Sequence, residues 1–219
     1  MTIKSLGAVV AAHLGLLAAV APPSLHADTV IQTTGVSNPP TIGGSVDAII
    51  AQSWTTSIPY QNVSISAEIG GDSSGSITAY LTDLIGPTAT VANEIASPVT
   101  VSSLSQPHAL TLLFSGLSLP AQTYYLVLSG PTGSTQYWIS GTTTTLGSGV
   151  TTTTEYCSNN IPGNLCQGDN PAFPPGSTFF HDTLHMDITV TGDSSVPEPF
   201  SWVLVSVGLA GLIWRRLSA

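Results

Sequence analysis

The sequence predicts an all-β fold, an antiparallel β-sandwich of jelly-roll-like type, with an N-terminal signal helix before it and a single C-terminal transmembrane helix after it. Three observations carry that reading. Residues 28–195 are rich in Thr, Ser, Gly and Pro and poor in Lys, Glu and Gln, so the side chains that furnish exposed helices are scarce. Apolar residues there recur with a period of two, the signature of a strand with one face buried and one wet. Short runs of this kind are bounded again and again by Gly and Pro, the spacing expected of a sandwich or barrel.

Residues 1–27 read as a signal peptide: Lys4 supplies a positive start, residues 6–21 an apolar core, and residues 22–27 a polar exit ending in Leu25-His26-Ala27. Residues 28–195 form one domain of a size that can bury its own core. Within it Val63, Ile65, Ala67 and Ile69 alternate with Asn62, Ser64, Ser66 and Glu68, and after the turn at residues 70–75 Ile77, Ala79 and Leu81 resume the alternation. These two strands are expected to pair as a hairpin. Further strands are expected at 109–114, 123–128 and 135–140, and a last one where Leu184, Met186, Ile188 and Val190 alternate with His185, Asp187 and Thr189. Residues 142–145 and 151–154 are all Thr around Leu146-Gly147-Ser148-Gly149-Val150, which suggests an exposed Thr-rich hairpin or an adhesive or glycosylated ladder of hydroxyls.

Residues 196–219 differ in character. Val196-Pro197-Glu198-Pro199 precedes an apolar run over 200–214, closed by Arg215-Arg216. That run is shorter than the roughly 20 residues of a straight membrane-spanning helix, but Trp202 and Trp214 suit the two interfaces and the run offers no charged face to water. This order of parts resembles the PEP-CTERM sorting signal of Gram-negative bacteria. The resemblance implies an exported precursor held in the membrane by its C-terminal helix, recognised by an exosortase-type membrane protease and cut near Pro197, Glu198 and Pro199.

Charge narrows the function further. The chain has three basic and twelve acidic side chains. Lys4, Arg215 and Arg216 all lie outside residues 28–195, which keep every carboxylate but Glu198. Nucleic acid is excluded as a partner, because its binding needs Lys and Arg to displace counterions from phosphates. Anionic ligands usually need an Arg fork, so they are excluded too. Cys157 and Cys166 are the two cysteines, and an oxidising compartment predicts a disulfide closing a small loop, not a redox or zinc site.

No residue pattern calls for a catalytic role, a cofactor or a metal. Gly71-Asp72-Ser73-Ser74-Gly75 fits a nucleophile elbow only in letters, since that motif needs a following helix, and a strand is expected there. His181, Asp182, His185 and Asp187 read as exposed surface, with the two histidines about 13 Å apart by strand rise. Asp47, Asp72, Asp83 and Asp169 lack any calcium-loop spacing. Residues 51–56, the alternating strands and the run 116–128 resemble the choice-of-anchor R type of surface domain, which implies a β-sandwich at the cell surface and no reaction. That setting implies a structural or adhesive role among exopolysaccharide in a biofilm, with a jelly-roll carbohydrate-binding module as the alternative and a secreted hydrolase as a remote one. Trp54, Tyr60, Tyr80, Tyr137 and Trp138 are candidates for stacking on sugar rings, with Tyr137 and Trp138 foremost; packing in the core is the competing role.

Overall fold

Ala27–Ser195 forms one compact unit. The computed structural model describes residues 27–35, 41–43, 49–71, 75–86, 88–104, 108–130, 135–157, 180–182 and 185–194. The strands, in chain order, are β1 (Asp28–Thr34), β2 (Thr41–Gly43), β3 (Ile49–Thr56), β4 (Tyr60–Gly71), β5 (Ser76–Thr82), β6 (Glu94–Ser102), β7 (Ala109–Leu119) and β8 (Thr123–Ser129). They continue as β9 (Thr135–Trp138), β10 (Ser140–Gly141), β11 (Thr143–Leu146), β12 (Val150–Cys157), β13 (Phe180–Asp182), β14 (His185–Met186) and β15 (Ile188–Ser194). Among the described residues the one helical piece is a 3-10 turn at Val91–Asn93, and none is long and apolar enough to cross a membrane.

All pairings are antiparallel. A seven-stranded sheet runs β11-β1-β15-β4-β9-β2, with β7 also paired to β4. A six-stranded sheet runs β13-β12-β3-β8-β5-β6, and β10 and β14 make a short separate ribbon. The two large sheets bury their facing sides against each other: Ile31, Val63, Ile65, Ala67, Ile69, Ile188 and Val190 come from one, and Ile50, Trp54, Ile77, Ala79, Leu81, Tyr124, Leu126 and Leu128 from the other. The predicted antiparallel sandwich is therefore present. The residues of both expected membrane-associated helices, 1–26 and 196–219, lie outside the described set.

Two expected hairpins are not hairpins. β4 pairs with β15, β7 and β9, whereas β5 pairs with β6 and β8, so the chain crosses between the sheets after Gly71. The Thr-rich pair does the same: β11 joins β1 in one sheet and β12 lies between β3 and β13 in the other. Alternation looks identical in both arrangements, since each strand buries every second residue whether its neighbour in sequence lies beside it or across the core. The turn residues obey the crossing. Gly149 has φ +73, and a Cβ there would come within 2.3 Å of the Ser57 hydroxyl, so only glycine fits without strain.

Aromatic residues close the interior. Trp54 and Tyr124 stack at 5.6 Å between ring centroids, and the Tyr124 hydroxyl donates to the Pro120 carbonyl. Burial pushes that phenol up to about 12. A buried amide supplies a tie at the ribbon: Gln52 Oε1 accepts from the Met186 backbone N–H at 2.8 Å, and its Nε2 donates to the Ser53 carbonyl at 3.0 Å. Gln52 thus holds β14 against β3.

Candidate functional site

The outer faces of the two sheets are built differently. On the six-stranded sheet, Ile49, Ala51, Tyr80 and Val127 pack with Ala89, Ile85 and Tyr125 as a second apolar cluster. Residues Ile85 and Ala89 arrive on the connection from β5 to the 3-10 turn. That connection is pinned: Leu84 N–H donates to Thr82 Oγ1 at 3.0 Å, and Asn93 Nδ2 donates to Asp83 Oδ1 at 2.9 Å. Elsewhere on this face Thr55 bonds Thr123 at 2.7 Å and Thr78 bonds Thr100 at 3.1 Å. The connection covers the sheet's apolar side chains, although Leu84 and Val91 on it stay exposed, and these threonines pair across strands.

The seven-stranded sheet leaves its outer face open around Glu68. β4 buries Ala67 and Ile69, so Glu68 points outward between them. Asp187 sits beside it, where the chain enters β15 one residue before Ile188, the partner of Ala67. Three segments of the chain meet at that point, β4 and the breaks between β9 and β10 and between β14 and β15: Glu68 N–H donates to the Asp187 carbonyl at 3.1 Å, Ile139 N–H donates to the Glu68 carbonyl at 2.9 Å, and Asp187 N–H donates to the Ile139 carbonyl at 2.7 Å. The junction fixes the two carboxyl side chains against each other.

Their electrostatics follow from this placement. Asp187 is 4% exposed, and burial, together with the hydrogen bond and charge of Glu68, raises it from its ordinary 3.8 to about 7. A proton on Asp187 removes the repulsion of two like charges at this point. His108 Nδ1 bonds Glu68 Oε1 from the start of β7. The result is a chain of three groups, His108, Glu68 and Asp187, with no Lys or Arg in residues 28–195 to neutralise it.

Around the chain lie apolar groups. Leu110 pairs with Glu68, and Leu112 with Ser66; they are 57% and 59% exposed. Tyr137 pairs with Gly70. Its ring lies over that glycine: a Cβ on Gly70 would approach Tyr137 Cε2 at 2.6 Å. A half-buried aromatic ring, two open leucines and a hydrogen-bonded acid pair therefore share one patch, and Gly70 makes the room for the ring.

Of the aromatic candidates, the structure buries most. Trp138 is fully buried, packs in the main core and donates its indole N–H to the Asp187 carbonyl at 2.8 Å, so it offers no ring face to a sugar. Trp54, Tyr60 and Tyr80 are buried as well; Tyr137 alone of the five is half-exposed. Asp187 is not the exposed surface group expected for the His181 to Asp187 cluster, because its partner Glu68 lies far off in sequence. A strand, β5, follows Gly75, as expected against a nucleophile elbow. Asp83 accepts from Asn93, while Asp47, Asp72 and Asp169 lie outside the described residues. So do Cys166 and the sorting elements Val196, Pro197, Glu198, Pro199, Arg215 and Arg216; Cys157 ends β12, opposite Ile49.

No family model matches the chain, and no curated protein matches it either. Among solved structures, one match is an active site mutant of a family two carbohydrate esterase from Clostridium thermocellum in complex with celluohexase, at 16% identity and a TM-score of 0.31. The match covers 57% of this chain and 33% of that one, so the chain spans about a third of its length. A likeness that slight carries no argument about the fold or its use.

Proposed function

We propose that this chain is an exported protein of a bacterial envelope or extracellular matrix, sorted through its C-terminal signal by an exosortase-type protease, and that its sandwich acts by adhesion to polysaccharide and not by catalysis. The sequence supports the route through Val196-Pro197-Glu198-Pro199, the apolar run and Arg215-Arg216. The observation that carries the adhesive role is the open patch on the seven-stranded sheet, where Tyr137, Leu110 and Leu112 surround hydrogen-bonding carboxyls. Sugar rings present just such a need: apolar faces for aromatic and aliphatic contact, with hydroxyl rims for polar partners. Retention of the full chain on immobilised exopolysaccharide, reduced by Tyr137→Ala, is the expected result, and equal elution of both proteins would remove the adhesive role. The route has its own test: mass measurement of the protein from native cell fractions should find a product without residues 200–219, and a mature form that keeps them would contradict it.

A further inference from the structure

We propose that the junction of His108, Glu68 and Asp187 is a pH-sensitive latch, which holds the short ribbon of β10 and β14 against β4 in acid and lets it open locally as the solution turns alkaline, with the rest of the sandwich intact. The device is independent of whatever the outer face binds. Its ground is geometric. Asp187 is buried and its carboxyl is hydrogen-bonded to that of Glu68, and two carboxyls can share such a bond only while one of them keeps its proton. The proton stays on Asp187, because Glu68 also faces His108 Nδ1, and a charged imidazole there favours Glu68 as the carboxylate. The titratable groups on the segments around Asp187 are Glu68 from β4, His108 from the start of β7, Tyr137 from β9 and His185 from β14. Strand β12, which packs on β14, carries Glu155 and Tyr156, and Asp28 and Asp193 stand at the far end of β15. None of these is a Lys or Arg, which would hold a positive charge through neutral pH once the proton is gone.

Which segment yields follows from how each is held. From Ile188 onward β15 is paired with both β1 and β4, so it cannot leave without breaking the larger sheet. Upstream of Asp187 the hold is thin. Strand β14 is two residues long and pairs with β10 through Ser140 and Met186 and through Gly141 and His185. Beyond that ribbon, Met186 N–H donates to Gln52 Oε1 at 2.8 Å, Asp187 N–H to the Ile139 carbonyl at 2.7 Å and the Trp138 indole to the Asp187 carbonyl at 2.8 Å. A short ribbon beside two breaks in the strands belongs to the least stable part of a fold. The buried Met186 side chain draws it closed, and a charge on Asp187 opposes that closure. Burial, with the bond and charge of Glu68, holds the Asp187 proton to about pH 7 in the closed junction, whereas a carboxyl opened to water releases it near its ordinary 3.8. Between those values the closed state keeps a proton that the open state loses, so opening becomes about tenfold easier with each pH unit and levels off above the upper one.

The test is amide hydrogen exchange of the full chain, followed residue by residue by NMR in dilute urea at about pH 5 and about pH 7.5, with each rate corrected for the intrinsic rate at that pH. The amides of Glu68, Ile139, Met186 and Asp187 should lose protection at least about tenfold at the higher pH, through an opening that urea barely promotes. Those of β3 and β8 should exchange only through an opening that urea promotes strongly. The Trp138 indole N–H, whose acceptor is the Asp187 carbonyl, should follow the junction amides. Asp187→Asn should keep the junction protected at both pH values. Glu68→Gln should shrink the loss without removing it, because the burial of Asp187 remains. Equal protection at both pH values in the unaltered chain would overturn the latch, as would a loss that survives Asp187→Asn or, if that variant does not fold, is undiminished in Glu68→Gln. Junction amides that share the urea dependence of β3 and β8 would overturn it too, since the junction would then open only with the whole sandwich.

Discussion

The two outer faces of the sandwich share a strand pattern and differ in how they finish it. On the six-stranded sheet, Ala51, Tyr80 and Val127 are roofed by Ile85 and Ala89, and threonines bond each other across strands. On the seven-stranded sheet, Leu110 and Leu112 remain open beside an acid pair and a half-buried tyrosine. The first arrangement roofs its sheet, and its exposed apolar groups, Leu84 and Val91, sit on the roof and not on the strands. The second leaves apolar side chains exposed on the strands themselves, beside carboxyls already hydrogen-bonded to each other and to His108. Both rest on one core, so substitutions can separate what supports the fold from what serves the patch.

The largest effect is expected where the faces are joined, in the interior. Trp138→Ala and Trp54→Ala should each lower unfolding free energy in urea by about 3 to 5 kcal/mol. The gentler Phe replacements sharpen the contrast. Trp138 donates to the Asp187 carbonyl beneath the patch, whereas Trp54 Nε1 is buried and meets no acceptor among the described residues. Trp138→Phe should therefore cost more than Trp54→Phe, by about 1 to 3 kcal/mol; equal costs would mean that the junction does not depend on the indole bond.

Next comes acidity, which should touch only the open face. Asp187 in the folded chain holds its proton to about pH 7, above its ordinary 3.8. Between those values the unfolded chain releases the proton while the folded chain keeps it, so stability falls as pH rises through that window and levels off beyond it. The decline should be on the order of 2 to 4 kcal/mol. Thermal melts from pH 4 to 8 should show it, and Asp187→Asn should flatten the slope. An unchanged slope in that variant would place the titration elsewhere.

Smaller effects compare the faces directly. Val127→Ala opens a gap under the roof of the six-stranded sheet and should cost about 1 to 2 kcal/mol. Leu112→Ala on the seven-stranded sheet should stay within about 0.5 kcal/mol, as exposed positions do, yet reduce retention on polysaccharide. Equal destabilisation by the two would show that the leucine belongs to the fold and not to a ligand.

Much of the fold was legible in the chain. The alternation of Val63, Ile65, Ala67 and Ile69, and of Ile77, Ala79 and Leu81, marked the buried faces that the structure shows. The partners of those strands were not legible, because a glycine turn between alternating runs serves a hairpin and a crossing equally well. The candidate site was harder still. Tyr137 was distinguishable only as an aromatic residue, and its neighbour Trp138 looked like a better platform until strand parity placed it in the core opposite Ile69. Glu68, His108 and Asp187 come from three distant stretches brought together at a junction, and a polar residue in an alternating strand looks the same whether it faces water or another carboxyl. One signal was available: with no Lys or Arg in the domain, any buried carboxylate had to find another acid, a histidine or a backbone amide.

The place of β15 has a consequence for when the domain can exist at all. The last strand lies between β1, the first, and β4. Until its C-terminal residues have emerged, the larger sheet is missing an inner member and the opening strand has no neighbour on that side. Contacts between the two ends of a chain form slowly and late, so this sheet closes only once most of its strands have been made.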